Sequence, residues 1–223
     1  MEEYALKGTP EVEPLTFLLV ESTQEEILRK HRDERDKRFP DQLYFSHQVV
    51  SLGDDELTAI EKVTDTNKGQ KVSVQVSRNG EAIYTIQVGD SSPIRCLRGL
   101  WAYDNHWVLE VAHVTEKRGF QNTVDHDVFG QVIQDGISLN KPHGYQETFG
   151  YQLMGGKPFY FFKKRGRLGI SYDNQEIMLG YTQIPHYWCC SASALNPRSA
   201  ENMVAFFAQR GGVWYYVETG VFE

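Results

Sequence analysis

Cysteine is scarce in this chain. Its 223 residues include three, Cys96, Cys189 and Cys190, and an odd number argues against a disulfide framework. Neighbouring residues of a strand point to opposite faces, so a ring closed between Cys189 and Cys190 would be strained. We therefore interpret all three as free thiols, which implies a reducing compartment.

Long apolar runs are also absent. No stretch approaches the roughly 20 apolar residues of a membrane-spanning helix. The chain opens on the acidic residues Glu2 and Glu3, and its short apolar run at 15–20 is followed by glutamate, unlike a secretory signal. These features predict a soluble, cytoplasmic protein with no membrane partner.

Positive charge is in deficit as well. Lysine and arginine number 23 against 30 acidic residues, which gives a formal net charge of −7. An acidic chain is a poor counterpart for nucleic acid, so the basic run at 163–167 is interpreted as edge protection at a hairpin tip. Phosphate-binding loops, a nucleophile elbow, a dinucleotide fingerprint and a zinc-protease helix motif are all missing. We expect neither a nucleic-acid partner nor a cofactor.

A charged segment occupies residues 1–40. An acidic lead-in with Pro10 and Pro14 precedes a strand candidate at 15–20. Ser22, followed three residues later by Glu25, forms a capping box, and Pro40 ends the helix that begins there. The sequence predicts one N-terminal α-helix here, followed by a single β domain at 41–223.

Strand patterns dominate the β domain. Residues 71–77 alternate with valine on one face, and Asn79-Gly80 then gives the strongest short hairpin signal, because both turn residues take positive φ. A second meander is predicted at 158–164, 167–172 and 175–181. Residues 115–150 look irregular and join the two parts, with short strand candidates at 128–133 and 146–153.

Two aromatic hairpins are the most informative feature. Segments 100–110 and 206–218 each combine a strand, a tight turn, a second aromatic strand and a glutamate, Glu110 or Glu218. The predicted fold class is mainly β, with antiparallel meanders forming a β-sandwich or a barrel. Residues 41–114 and 145–223 are either two related halves or two sets of similar hairpins. Their matching motifs are unequally spaced, so a fixed repeat is absent.

Aromatic side chains on these hairpins are the first candidates for a site. Exposed rings stack on sugars or grip peptides, whereas buried rings fill a β core and pair across strands. Consecutive Trp214, Tyr215 and Tyr216 must place rings on both faces of their strand. The candidate ligand-binding residues are Trp101, Tyr103, Trp107, Glu110, His186, Trp188, Trp214, Tyr216 and Glu218.

Chemistry-bearing residues provide an alternative interpretation. Glu110 and Glu218 hold matching positions and would act as acid and base if they met; otherwise they are strand-end glutamates in solvent. His186, close to Cys189 and Cys190, has the residue types of a zinc site or of a Cys–His nucleophile. No second ligand pair with zinc-finger spacing follows, so buried cysteines are the simpler interpretation and no metal is expected.

Two functions follow from these residues. The first is a non-catalytic binding module that presents aromatic hairpins to a protein, glycan or small-molecule ligand. The second is a hydrolase that uses His186 with a cysteine, or Glu110 with Glu218. We favour the module, because packing and solubility account for each chemistry-bearing residue without invoking a reaction.

Overall fold

A computed structural model describes residues 1–6, 47–67, 69–90, 95–118, 124–188 and 190–221. Within these ranges the chain is mainly β with antiparallel sheets, as the sequence predicts. The strands are β1 (Glu2–Ala5), β2 (His47–Leu52), β3 (Asp55–Thr66), β4 (Gly69–Arg78), β5 (Glu81–Asp90), β6 (Leu97–Tyr103), β7 (His106–Arg118), β8 (Val124–Gln134), β9 (Ile137–Ser138), β10 (Glu147–Met154), β11 (Lys157–Lys164), β12 (Arg167–Tyr172), β13 (Gln175–Met178), β14 (Arg198–Ala200), β15 (Met203–Arg210) and β16 (Val213–Gly220).

Helical structure in these ranges is short. It consists of α1 (Asn140–His143) and a 3-10 helix, Cys190–Leu195. The helix predicted between Ser22 and Pro40 and the strand predicted at 15–20 lie outside the described residues. No described helix is long and apolar enough to cross a membrane.

Local sequence explains the predicted hairpins. Asn79 and Gly80 both have positive φ, 51° and 87°, which closes the turn between β4 and β5. The alternating residues Val72, Val74 and Val76 are all buried. Both aromatic hairpins also form: β6 pairs with β7 and β15 pairs with β16, in antiparallel register.

Three sheets form within the described ranges. The largest has eight strands, in the order β2-β3-β4-β5-β7-β8-β9, with β6 paired to β7. The second has the order β10-β11-β12-β13, and the third has the order β1-β16-β15-β14. The described pairs are antiparallel, except that β5 meets β7 in parallel at Gly89 and Val114.

The eight-stranded sheet curls around a first core, which includes Leu57, Val74 and Leu109. The backbone N–H groups of Cys96 and Leu97 donate to the carboxylate of Glu61 on β3, each at 2.9 Å. The start of β6, which is paired with β7, is therefore also tied to β3 through the side chain of Glu61.

A second core joins the three sheets. Its buried side chains include Ala112 from β7, Phe149 from β10, Phe161 from β11, and Phe206 and Val217 from the third sheet. Because Ala112 faces this second core and Leu109 faces the first, the β7–β8 ladder has apolar packing on both sides.

The connection around residues 115–150 differs from the irregular segment that the sequence suggested. β7 continues to Arg118, and each of the eleven residues of β8 has a pairing partner on β7. Polar residues on both faces of this ladder hide its strand pattern, since period-two alternation of apolar residues is the usual signal. Cross-strand contacts such as the ion pair between Lys117 and Asp127 contribute to the pairing instead.

Candidate functional site

Glu110 lies buried where the largest sheet meets β10. The register of β10 against β11 breaks between Phe149 and Gln152, and Gly150 there has φ of 65°. The backbone N–H groups of Gly150 and Tyr151 donate to the two carboxylate oxygens of Glu110, at 3.1 and 2.6 Å. Glu110 therefore provides the acceptors for the amides at this bulge, and buried backbone donors need such a partner.

Tyr187 adds a third donor to Glu110. Its hydroxyl donates to carboxylate oxygen Oε1 at 2.5 Å. Burial raises the pKa of Tyr187 well above its ordinary value, and the nearby charge of Glu110 and this hydrogen bond raise it further. The phenol therefore stays protonated and acts as a donor, so Glu110 binds a third segment of the chain.

Glu147 and His186 form a neighbouring pair. The Nε2 atom of His186 lies 2.9 Å from Glu147 Oε1, and its Nδ1 atom lies 2.8 Å from the carbonyl oxygen of Ile184. Both nitrogens face acceptors, so both hydrogen bonds form only when the imidazole carries two protons. The ring also stacks on Phe149 at 3.6 Å. Both ring nitrogens of His186 are thus held in contacts with the fold.

Glu147 is stabilised in its charged form. Burial acts to raise its pKa, but the hydrogen bond and charge of His186, the Gly130 amide and the charge of Lys163 together lower it below its ordinary value of 4.5. The Gly130 N–H donates to Glu147 at 2.8 Å. Glu147 thereby satisfies an amide on the edge of β8 that β9 does not reach.

Close backbone approach positions this cluster. A Cβ atom added to Gly130 would lie 2.3 Å from the carbonyl oxygen of Thr148 and 2.5 Å from the hydroxyl of Tyr187. Tyr187 itself adopts φ of 58°, a left-handed conformation that is uncommon for a large residue. Sequence reasoning missed Glu147 and Tyr187. The available signal was the pair of isolated glycines, Gly130 and Gly150, inside strand patterns, since such glycines mark bulges or close contacts.

The candidate aromatic residues of the first hairpin are largely packed. Trp107 is buried against Tyr84, with ring centroids 5.7 Å apart. The half-buried ring of Trp101 packs on Tyr151 at 5.0 Å. Tyr103 is half-buried at the turn. Trp107 is therefore part of the core, whereas Trp101 and Tyr103 keep part of their ring surface accessible.

The second hairpin has the alternation that the sequence predicts. Trp214 is buried with Phe207 on one face of β16, and Tyr216 packs against the same small cluster. Tyr215, between them, packs against the second core. Rings therefore lie on both faces of the strand.

Tyr216 continues toward the sheet edge. It is the register partner of Tyr4 on β1, and the two ring centroids are 6.4 Å apart. The next pair on the same face is Glu2 and Glu218. The hydroxyl of Tyr4 donates to Glu2 at 2.7 Å and that of Tyr216 donates to Glu218 at 3.0 Å. We call these four residues the tyrosine–glutamate face.

The structure brings some predicted residues together and separates others. His186 and Glu110 are linked through Tyr187, the chain neighbour of His186. Glu218 belongs to the tyrosine–glutamate face, and no described contact joins it to Glu110. Trp188 is 37% exposed, and its backbone bonds to the side chain of Asn196.

The cysteines offer no described ligand set. Cys96 is buried, Cys189 lies outside the described residues, and only the backbone of Cys190 is described. Within the described part of the chain, no group of three or more His, Cys, Asp or Glu side chains is placed to hold a metal ion.

Comparison of the chain with models of known protein families, with curated proteins and with solved structures finds no match. A function is therefore assigned from the geometry of the buried cluster around Glu110 and Glu147 and from that of the tyrosine–glutamate face.

Proposed function

We propose that the protein is a non-catalytic interaction module that binds its partner at the tyrosine–glutamate face. The observation that carries the proposal is the side-by-side arrangement of two tyrosine rings and two glutamates on the edge of a sheet. Tyr4 is 50% exposed and Glu2 is exposed, whereas Tyr216 and Glu218 are half-buried. The face therefore combines accessible ring surface with two paired strands.

The chemistry of this face is that of binding. The hydrogen bond to Glu2 raises the pKa of Tyr4, and burial followed by the contact with Glu218 raises the pKa of Tyr216 to about 12. Both phenols are consequently neutral donors near pH 7, and they orient the two carboxylates. A ring with a carboxylate beside it provides a cation–π contact and an ion pair for the same cationic group.

Two acidic side chains meet on this face. Glu2 and Glu218 are direct cross-strand partners, and neither forms an ion pair with a basic side chain of the described residues. Like charges opposite each other destabilise a sheet, so a cationic partner would relieve an existing repulsion.

The contacts of the other candidates favour this proposal over a hydrolase. Glu110 accepts three hydrogen bonds from the fold, and both nitrogens of His186 are occupied. A general base needs a lone pair within reach of the substrate. Glu110 is buried with both oxygens held by the fold, both nitrogens of His186 already have partners, and Glu218 lies in a different group of residues.

The proposal also bears on domain organisation. We propose that residues 41–223 act as one β domain, in which the β7–β8 ladder packs on β10 and β11 as two layers of a sandwich. Val108, Val132 and Tyr160 share one buried cluster between these layers, which supports that arrangement. The hairpin pattern that residues 41–114 and 145–223 share supports a further proposal, that the two parts arose by duplication.

An array experiment tests the function. The protein is applied to arrays of peptides, glycans and small cationic ligands as wild type, as Tyr4→Ala and as Phe129→Ala. Phe129 is a matched control, because it is a 43% exposed ring on β8, outside the tyrosine–glutamate face. We expect ligands whose signal is lost in Tyr4→Ala and retained in Phe129→Ala. No ligand at all, or ligands indifferent to Tyr4→Ala, would contradict the proposal.

A further inference from the structure

As far as the described residues extend, β1 is the edge strand of its sheet. Among the described residues it pairs only with β16. The N–H of Leu6 donates to the carbonyl oxygen of Trp214 at 2.8 Å. In an antiparallel ladder, residues with both backbone groups directed to the partner alternate with residues directed away. The backbone N–H and C=O groups of Leu6 and Tyr4 therefore point to β16. Those of Glu3 and Ala5 point to the opposite side of β1.

We propose that an extended, basic segment of a partner protein adds to β1 as a new strand. This inference rests on the proposed function, because the strand would lie beside the tyrosine–glutamate face. Strand addition is a common mode of peptide recognition, in which backbone hydrogen bonds give affinity and alternate side chains give specificity. Here Glu3 and Ala5 supply the backbone groups.

The positions of the side chains on β1 indicate that the partner strand is basic. A strand paired to β1 lies about 4.8 Å away, and side chains on the same face of neighbouring strands are about 5 Å apart. Every second residue of the partner would thus reach Glu2 and the ring of Tyr4. Lysine or arginine there gains an ion pair and a cation–π contact.

The opposite face of β1 does not require a basic residue in the partner strand. Glu3 on that face is already bound by Arg210 at 2.7 Å and by the hydroxyl of Tyr181 at 2.6 Å. Its carboxylate is neutralised within the fold, and its pKa is lowered, first by the Arg210 hydrogen bond. Basic residues are therefore required at alternate positions of the partner rather than at every position.

Charge also excludes a second copy of this chain as the added strand. Edge strands are commonly protected by lysine, proline or a bulge, and β1, with the sequence Glu-Glu-Tyr-Ala, has none of these. Two copies of β1 would bring four glutamates together, which is unfavourable. The acidic edge thus deters self-pairing while it leaves the backbone open to a basic strand.

Amide NMR tests the inference with a defined probe, a blocked peptide of alternating lysine and threonine. We expect it to shift the amide signals of Glu2 to Ala5 and to slow hydrogen exchange at Glu3 and Ala5. A peptide of alternating glutamate and threonine should do neither. Ala5→Pro removes one outward N–H without removing a bond to β16, and should weaken binding about tenfold. Ala5→Val retains that N–H and is the matched control.

The outcomes separate this inference from the proposed function. If the lysine peptide shifts Tyr4 and Glu2 but leaves exchange at Glu3 and Ala5 unchanged, strand addition is wrong and the binding face stands. If array ligands bind through Tyr4 but the lysine peptide does not, the basic partner is wrong. If no probe binds at Tyr4, both proposals fail. The exchange measurement uses the wild type, so its result does not depend on how well Ala5→Pro folds.

Discussion

The hydroxyl of Tyr187 donates a 2.5 Å hydrogen bond to the buried carboxylate of Glu110, although Tyr187 has a left-handed backbone with φ of 58°. That conformation costs about 1–2 kcal/mol for a residue other than glycine. A charge-assisted hydrogen bond is strong enough to offset it. Because Glu110 also holds the amides of Gly150 and Tyr151, its carboxylate joins β7, β10 and the segment that carries Tyr187.

Glu110→Ala should destabilise the protein strongly. The change leaves two backbone N–H groups and one phenol without their acceptor, and each unsatisfied buried donor costs about 1–3 kcal/mol. We expect a loss of about 3–5 kcal/mol in the free energy of unfolding, measured by urea denaturation. Glu218→Ala is the control from the matching position and should change stability by less than about 1 kcal/mol. Equal losses in the two variants would contradict the role of Glu110 in joining these segments.

The sequence predicts those parts of the fold that depend on residues close together in the chain, and not those that depend on distant residues. Turn residues such as Asn79 and Gly80, and the alternation of valines before them, are local and identify the hairpins correctly. Glu110 is a candidate because of its position after Trp107, which is also a local feature. Its role depends on partners 40, 41 and 77 residues further along the chain, and no local pattern specifies such contacts.

Glycine positions are the sequence signal for the buried cluster. Gly130 and Gly150 interrupt otherwise regular strands, and each marks a place where backbone or a ring comes too close for a side chain. The identity of the approaching group cannot be predicted from the glycine itself. Tyr187 and Glu147 therefore emerge only when the sheets are packed together.

Gly130→Ala should be severely destabilising. The new methyl carbon would lie 2.3 Å from the backbone oxygen of Thr148, and neither neighbouring strand can move without breaking hydrogen bonds. We expect a loss of at least about 2 kcal/mol in thermal or urea unfolding. Gly180→Ala is the matched control, because its nearest atom, Arg210 Cδ, would be 3.7 Å from the methyl carbon. A Gly130→Ala variant as stable as Gly180→Ala would show that β8 and β10 do not approach this closely.

The ion pair of Glu147 predicts a specific response to acid. The pKa of Glu147 is below its ordinary value of 4.5 in the folded protein. Its contribution to stability is therefore complete above the unfolded pKa and is lost as the pH falls through the lower folded pKa. Between about pH 5 and about pH 3, the wild type should lose stability more steeply than Glu147→Gln. Urea titrations at stepped pH measure this, with exposed Glu81→Gln as control; parallel curves for the wild type and Glu147→Gln would refute it.

Cys96 should be unreactive in the folded protein. Burial, and then the charge of Glu61, raise the pKa of its thiol to about 12. Only the thiolate is nucleophilic, so near pH 8 we expect iodoacetamide to label Cys96 at least about a hundredfold more slowly than in urea-unfolded protein. Mass spectrometry of peptides separates Cys96 from Cys189 and Cys190. Equal labelling rates in the two states would place Cys96 outside the core.

Glu218→Gln should slightly stabilise the free protein. Glu218 and Glu2 are cross-strand partners of like charge, and removing one charge relieves a repulsion worth up to about 0.5 kcal/mol. The glutamine oxygen can still accept the hydrogen bond of Tyr216. Added salt screens such repulsion, so raising NaCl from about 0.05 to about 0.5 M should stabilise the wild type more than the variant. Glu81→Gln controls for the general loss of one negative charge. An identical salt response in wild type and Glu218→Gln would show that the two carboxylates are not opposed, and would remove the charge argument for a basic partner.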